Sequence, residues 1–120
     1  MKSSKDAVPL FNMPNLHVKG IELLGESEKH ELEKISRKNI EKIKRMIDND
    51  FLLKIVIRVN SKSKENKEKR KRYSITIEIS GEIPRIEASD EEWDFNKAIN
   101  NVFQKLSIEI EHKFHLMDKH

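Results

Sequence analysis

Apolar and polar residues alternate along Leu16-His17-Val18-Lys19, the two-residue period of a short, half-buried strand. Before it, Met1 to Asn15 carries Pro9 and Pro14 without clean periodicity and reads as an extended, flexible N-terminal arm. After it, Gly20 and Gly25 bracket a turn, and Ser27 stands where a helix N-cap would. The period then lengthens. At ~100° per residue, Leu32, Ile35, Ile40, Ile43, Met46 and Ile47 fall within an arc of roughly 140°, the buried stripe of an amphipathic helix. Lys34, Arg37, Lys38, Lys42, Lys44 and Arg45 occupy the remaining surface, with Glu33 and Glu41 among them.

Phe51 to Asn60 returns to a period of two. Phe51, Leu53, Ile55, Ile57 and Val59 lie on one side, and Leu52, Lys54, Val56, Arg58 and Asn60 on the other. Tyr73, Ile75, Ile77 and Ile79 alternate with Ser74, Thr76, Glu78 and Ser80, giving a partner strand across a long hairpin loop with a mobile tip. Gly81 makes a turn, and Ile83 to Ala88 is a third strand of the group, with Pro84 marking an edge or a bulge. Ser89 reads as the cap of a second helix whose first turn holds Asp90, Glu91 and Glu92, with Asp94 just beyond, where acids complement the helix dipole. Phe95, Ala98, Ile99, Val102, Phe103, Leu106, Ile110, Phe114 and Met117 then share an arc of about 160° at helical spacing. Trp93 and Ile108 fall outside it and suit an edge or a partner contact.

The order is therefore β-α-β-β-β-α. Two helices with one apolar stripe each, and a sheet with one dry face, predict a two-layer α+β sandwich: a four-stranded sheet with both helices on one face. Residues 16–117 form a single domain after the arm at 1–15. The open sheet face would carry His17, Lys19, Lys54, Arg58, Ser74, Thr76, Glu78, Arg85 and Glu87.

Composition adds two exclusions. There is no Cys, so neither disulfides nor cysteine chemistry operate, which fits a reducing cytoplasm. No apolar run approaches the ~18 residues of a membrane span, and the N-terminus lacks the pattern of an export signal. The net charge of +3 says little, but its distribution says more. Ser61 to Arg72 holds seven basic and two acidic residues, and Tyr73 to Phe95 one basic and seven acidic. Such asymmetry marks a polyanion-facing side and an opposite side, although a solvated loop would account for the basic segment equally well.

Catalytic signatures are missing. Gly20, Gly25 and Gly81 lack phosphate-loop spacing. His112, His115 and His120, with Glu109 one turn before His112, are the best metal candidates, but they make only half of a helical di-metal motif. No enzyme activity, cofactor, metal or small-molecule substrate is expected. Electrostatic recognition remains, and with most aromatics assigned to the core it should read RNA shape and phosphates more than bases.

The stretch Ile86-Glu87-Ala88-Ser89-Asp90-Glu91-Glu92-Trp93-Asp94-Phe95-Asn96-Lys97-Ala98-Ile99-Asn100, followed by Lys105-Leu106, resembles the strand-to-helix passage of the ribosome hibernation-promoting factor and ribosome-associated inhibitor family. There the pattern runs roughly I-x-A-S-A-E-x-x-D-M-Y-x-A-I-D, then K-L. The element order is also that family's. Asn96 stands where the family prefers Tyr, Asn100 replaces an Asp, the hairpin loop is longer and more basic, and the arm is extra. In length the chain resembles the short form. The resemblance implies binding to the small ribosomal subunit, to its 16S-type rRNA and neighbouring proteins, in the channel where messenger and transfer RNAs lie. Translation would be blocked and idle ribosomes preserved. The other candidate association is a weak homodimer.

The rRNA-contacting candidates are chosen for charge and expected exposure. They are Lys34, Arg37, Lys38, Lys42 and Arg45 on the first helix, and Lys54 and Arg58 on the second strand. In the loop they are Lys62, Lys64, Lys67, Lys69, Arg70, Lys71 and Arg72. All are expected on one contiguous side. Two rivals stand beside this. A double-stranded-RNA-binding domain shares the layering but places basic residues at the start of its second helix, where this chain has acids. A protein-interaction adaptor would use Trp93, Ile108 and the acidic flank.

Overall fold

The chain crosses from Lys19 to Phe51 as a helix over one face of the sheet, the long connection that two parallel strands require. The computed structural model describes residues 8–10, 12–62 and 70–114, with the backbone alone at 8–10, 61, 62 and 70. The elements are β1 (Val8–Leu10), β2 (Met13–Lys19), α1 (Glu26–Met46), β3 (Phe51–Lys62), β4 (Arg70–Gly81), β5 (Ile86–Glu92) and α2 (Phe95–Phe114). Their order across the sheet equals their order in the chain. Among the described strands only β2 and β3 run parallel. The strands β2 to β5 and the two helices make the expected β-α-β-β-β-α sandwich.

One short strand is added to it. β1 lies inside the segment expected to be an arm, and it pairs antiparallel with β2 through Val8↔Val18 and Pro9↔His17 before the register shifts. Pro9 lacks an N–H, which an edge strand tolerates. Asn12 turns the chain between the two strands with φ 59°, a left-handed conformation that Asn adopts more readily than most residues.

The core is the space between the inner sheet face and both helices. Leu16, Val18, Leu53, Ile55, Ile57, Ile75, Ile77 and Ile79 are almost fully buried there. They meet Leu32, Ile40 and Ile43 of α1 and Ile99, Val102, Phe103, Leu106 and Ile110 of α2. Ser36 sits in the same buried stripe of α1, and its hydroxyl has no hydrogen-bond partner among the described residues. An unsatisfied buried hydroxyl carries its full desolvation cost. Ser36→Ala is therefore expected to raise the unfolding free energy by about 1 kcal/mol, read from urea denaturation.

Both helix starts differ from the sequence reading. Helix α1 begins at Glu26, so its N-cap is Gly25, and Ser27 lies inside the first turn. The cap works through Glu28, whose Oε1 accepts the Gly25 N–H at 2.9 Å. Helix α2 begins at Phe95, and the Asp94 carbonyl accepts the Ala98 N–H at 3.0 Å. Ser89 to Glu92, expected as cap and first turn, instead continue β5, paired with Tyr73 to Thr76 of β4. Their local sequence suits a helix start, but the ladder to β4 offers them backbone partners that a helix end would leave open.

Tyr73 joins three elements at the root of the β3–β4 hairpin. Its hydroxyl donates to Glu28 Oε2 on α1 at 2.6 Å. Its ring meets Phe95 of α2 edge-on at 5.6 Å. Burial pushes this hydroxyl up, the Glu28 carboxylate and the Asp94 charge add to the effect, and it titrates at about 12. At the other end of the β2–α1 connection, Gly20 has φ +96°, and a Cβ there would overlap the Ile57 carbonyl oxygen. That close approach seats the 3-10 turn Ile21–Leu23 against β3.

Candidate nucleic-acid interface

Lys34, Lys38, Lys42 and Arg45 recur on α1 at the spacing that aligns side chains along one flank, within an arc of roughly 80° at ~100° per residue. At 1.5 Å per residue the row is about 16 Å long. All four are exposed. Lys34 lies 3.7 Å from Glu31, an exposed pair that does little to mask it. Lys38, Lys42 and Arg45 form no ion pair with any described residue. Arg37 points to the other flank, where its guanidinium donates to Glu33 at 2.7 Å.

The open face of the sheet is ordered by the strand register. One row runs His17, Lys54, Glu78, Glu87; the next Lys19, Val56, Thr76, Ser89; the third Arg58, Ser74, Glu91. Cations therefore occupy the β2–β3 half and carboxylates the β4–β5 half. Arg85 closes the acidic half, with Glu78 at 2.9 Å and Glu87 at 3.6 Å. Lys54 is half-buried and Arg58 exposed.

The hairpin strands run further than their apolar alternation. The ladder continues through Asn60↔Arg72, Ser61↔Lys71 and Lys62↔Arg70, so these basic residues stand on strands and not in a loop. Backbone pairing needs no apolar side chain, which is why the charged ends still extend the sheet. Lys71 is exposed. Arg72 is held by Glu91 at 3.1 Å and lies 5.0 Å over the Trp93 ring. Of Lys62 and Arg70 the strand backbone is described; Lys64, Lys67 and Lys69 lie outside the described residues, as do His115, His120 and Met117.

The expectation of one contiguous basic side is overturned. Both helices cover the inner face, so the α1 row points away from the sheet on one side of the slab, while Lys54 and Arg58 project from the opposite side. Nor are the acids kept apart, since Glu91 neutralises Arg72 at the hairpin root. Lys19, expected on the open face but absent from the rRNA-contacting candidates, lies opposite Val56 and beside Arg58, which brings it into the basic half.

Asp90 shows how the acidic segment is used structurally. Its side chain is 14% exposed and accepts hydrogen bonds from Lys105 Nζ at 2.8 Å and Asn101 Nδ2 at 3.1 Å. Burial alone would raise its pKa, but these bonds and the Lys105 charge outweigh it and hold the carboxyl below its ordinary value. The stabilisation is therefore complete above the unfolded-chain value near 4 and is lost as pH falls through the lowered folded value. Lys105→Met is expected to cost about 1 kcal/mol at pH 7, with the gap between the two unfolding curves narrowing as pH falls through the lowered folded value of Asp90 in urea titrations; the Lys105 bond to the Ser89 carbonyl at 3.1 Å keeps a pH-independent remainder.

Trp93 and Ile108 are 40% and 44% exposed. His112 is exposed near the end of α2, and among the described residues no three His, Asp or Glu side chains stand together as a metal site. No helix among them is long and apolar enough to cross a membrane.

These features define a thin two-layer α+β protein that displays cations on both broad faces. Residues 24–114 match the family model described as sigma 54 modulation protein / S30EA ribosomal protein, and the chain belongs to that ribosome-associated family. No curated protein matches it.

Proposed function

We propose that the protein is a ribosome hibernation factor. It binds the small ribosomal subunit in the channel used by messenger and transfer RNA, blocks translation and preserves idle ribosomes in the cytoplasm. It acts by occupying space and neutralising phosphates, without a cofactor or a catalysed reaction. Family membership supports ribosome association. The finer reading rests on the two-sided display of cations across a molecule whose shortest extent is 21 Å. A protein lying on one RNA surface needs one basic face; one wedged between two RNA walls uses both.

Endogenous protein from stationary-phase cells should sediment with small subunits or whole ribosomes on sucrose gradients. A bound messenger analogue and initiator transfer RNA should displace it. For a surface neutralising about five phosphates, log affinity should fall with log salt at a slope of roughly -3.5 to -4.5. Simultaneous occupancy with both RNAs would rule out the channel, and equal affinity for free duplex RNA would favour the double-stranded-RNA-binding rival.

A further inference from the structure

Strand β2 stops at Lys19 while β3 continues, and the 3-10 turn folds against β3 where β2 leaves off. The step leaves a recess of about 270 Å³. Lys19 and Arg58 stand on its rim, Leu23 and Val56 supply apolar wall, and Gly20 lets the turn approach Ile57 closely enough to close the back. Leu23 is 43% exposed here. Glu22 is the one acid in the lining, so two cations face one carboxylate.

We infer that this recess binds one unpaired nucleotide of an RNA strand. Its phosphate is met by Lys19 and Arg58, and its ribose or base lies against Leu23 and Val56. The inference rests on the ribosome-binding reading and adds to it a defined subsite. A nucleotide presents an anion and an apolar face together, which matches a lining that combines Lys19 and Arg58 with Val56 and the exposed Leu23. The recess is also continuous with the basic half of the open face through the Lys54 and Val56 positions of β3. A duplex offers only its backbone to such a depression, because its bases are stacked inside; an unpaired unit can enter it.

The experiment compares Lys19→Ala, Leu23→Ser and Glu22→Gln with Lys97→Ala, an exposed charge removal on α2 away from the recess. Binding to purified ribosomes is measured over a range of salt. Lys19→Ala should weaken binding about tenfold and make the salt slope shallower by about 0.7 to 0.9, the signature of one phosphate no longer neutralised. Leu23→Ser should weaken it severalfold with the slope unchanged, and Glu22→Gln should strengthen it. If Lys19→Ala and Leu23→Ser match Lys97→Ala, the inference falls.

A direct readout uses the absence of cysteine from the chain. In Leu23→Cys the single thiol should be protected from alkylation in the ribosome complex, and an unchanged rate overturns the inference. Should the wild-type protein not bind ribosomes at all, the ribosome reading fails independently. Protection of the same thiol by a single-stranded oligoribonucleotide, and not by a duplex of equal length, would then still uphold the subsite. Equal or absent protection would end it.

Discussion

Replacing Lys34, Lys38, Lys42 and Arg45 together by Ala is expected to lower affinity for ribosomes by about a thousandfold, taking about 1 kcal/mol for each cation–phosphate pair removed. The salt slope should flatten by about three, at roughly 0.7 to 0.9 for each phosphate left unneutralised. These side chains are exposed and Ala is the best helix former, so α1 itself should persist. Sedimentation binding at several salt concentrations, with circular dichroism on the same samples, separates impaired binding from impaired folding. Unchanged affinity would mean that the outward side of α1 faces solvent in the complex, and with it the two-walled channel would be abandoned.

Gly20→Ala should lower the unfolding free energy by roughly 2 to 5 kcal/mol, combining a left-handed backbone imposed on a side chain with forced overlap. The obstacle is the Ile57 carbonyl oxygen, which the added Cβ would overlap, a backbone atom of a central strand that cannot swing aside. Urea unfolding measures it. A decrease below about 0.5 kcal/mol would show that the turn moves off β3 freely, since surface substitutions elsewhere stay within about that range.

The elements that carry a clear period are legible in the sequence. The stripe Leu32, Ile35, Ile40, Ile43 buries itself in α1, and the alternation Tyr73, Ile75, Ile77, Ile79 buries itself in β4. The features that escape it depend on partners far along the chain. Val8–Leu10 forms a strand only because β2 offers a ladder, and Pro9 within it hides the pattern. Ser89 to Glu92 has the local signature of a helix start, yet Asp90 is held to Lys105 and Asn101, a turn or more into α2, and its backbone to β4. With those acids on β5, the first turn of α2 carries none, and acidity there no longer weighs against the double-stranded-RNA-binding rival.

The basic residues themselves are plain in the sequence; their distribution over two faces is not, although it follows from the architecture. Once both helices are laid on one side of the sheet, the solvent flank of α1 and the open face point in opposite directions. Charge runs identify cations, and only the layering says which of them can touch the same surface. Lys19 gives no signal of its own for the related reason that its significance lies in where β2 ends relative to Arg58.

Tyr73 gives the long hairpin the mechanics of a cantilever. Its ring braced on Phe95 and its hydroxyl on Glu28 clamp the beam to both helices at one cross-section, and Glu28 simultaneously anchors the first residue before α1. Because that hydroxyl keeps its proton up to about pH 12, the clamp does not loosen anywhere in the cellular range. Sideways load applied to the described basic end is thus delivered to the helical layer through Tyr73, and to β5 through the Arg72–Glu91 pair next to it.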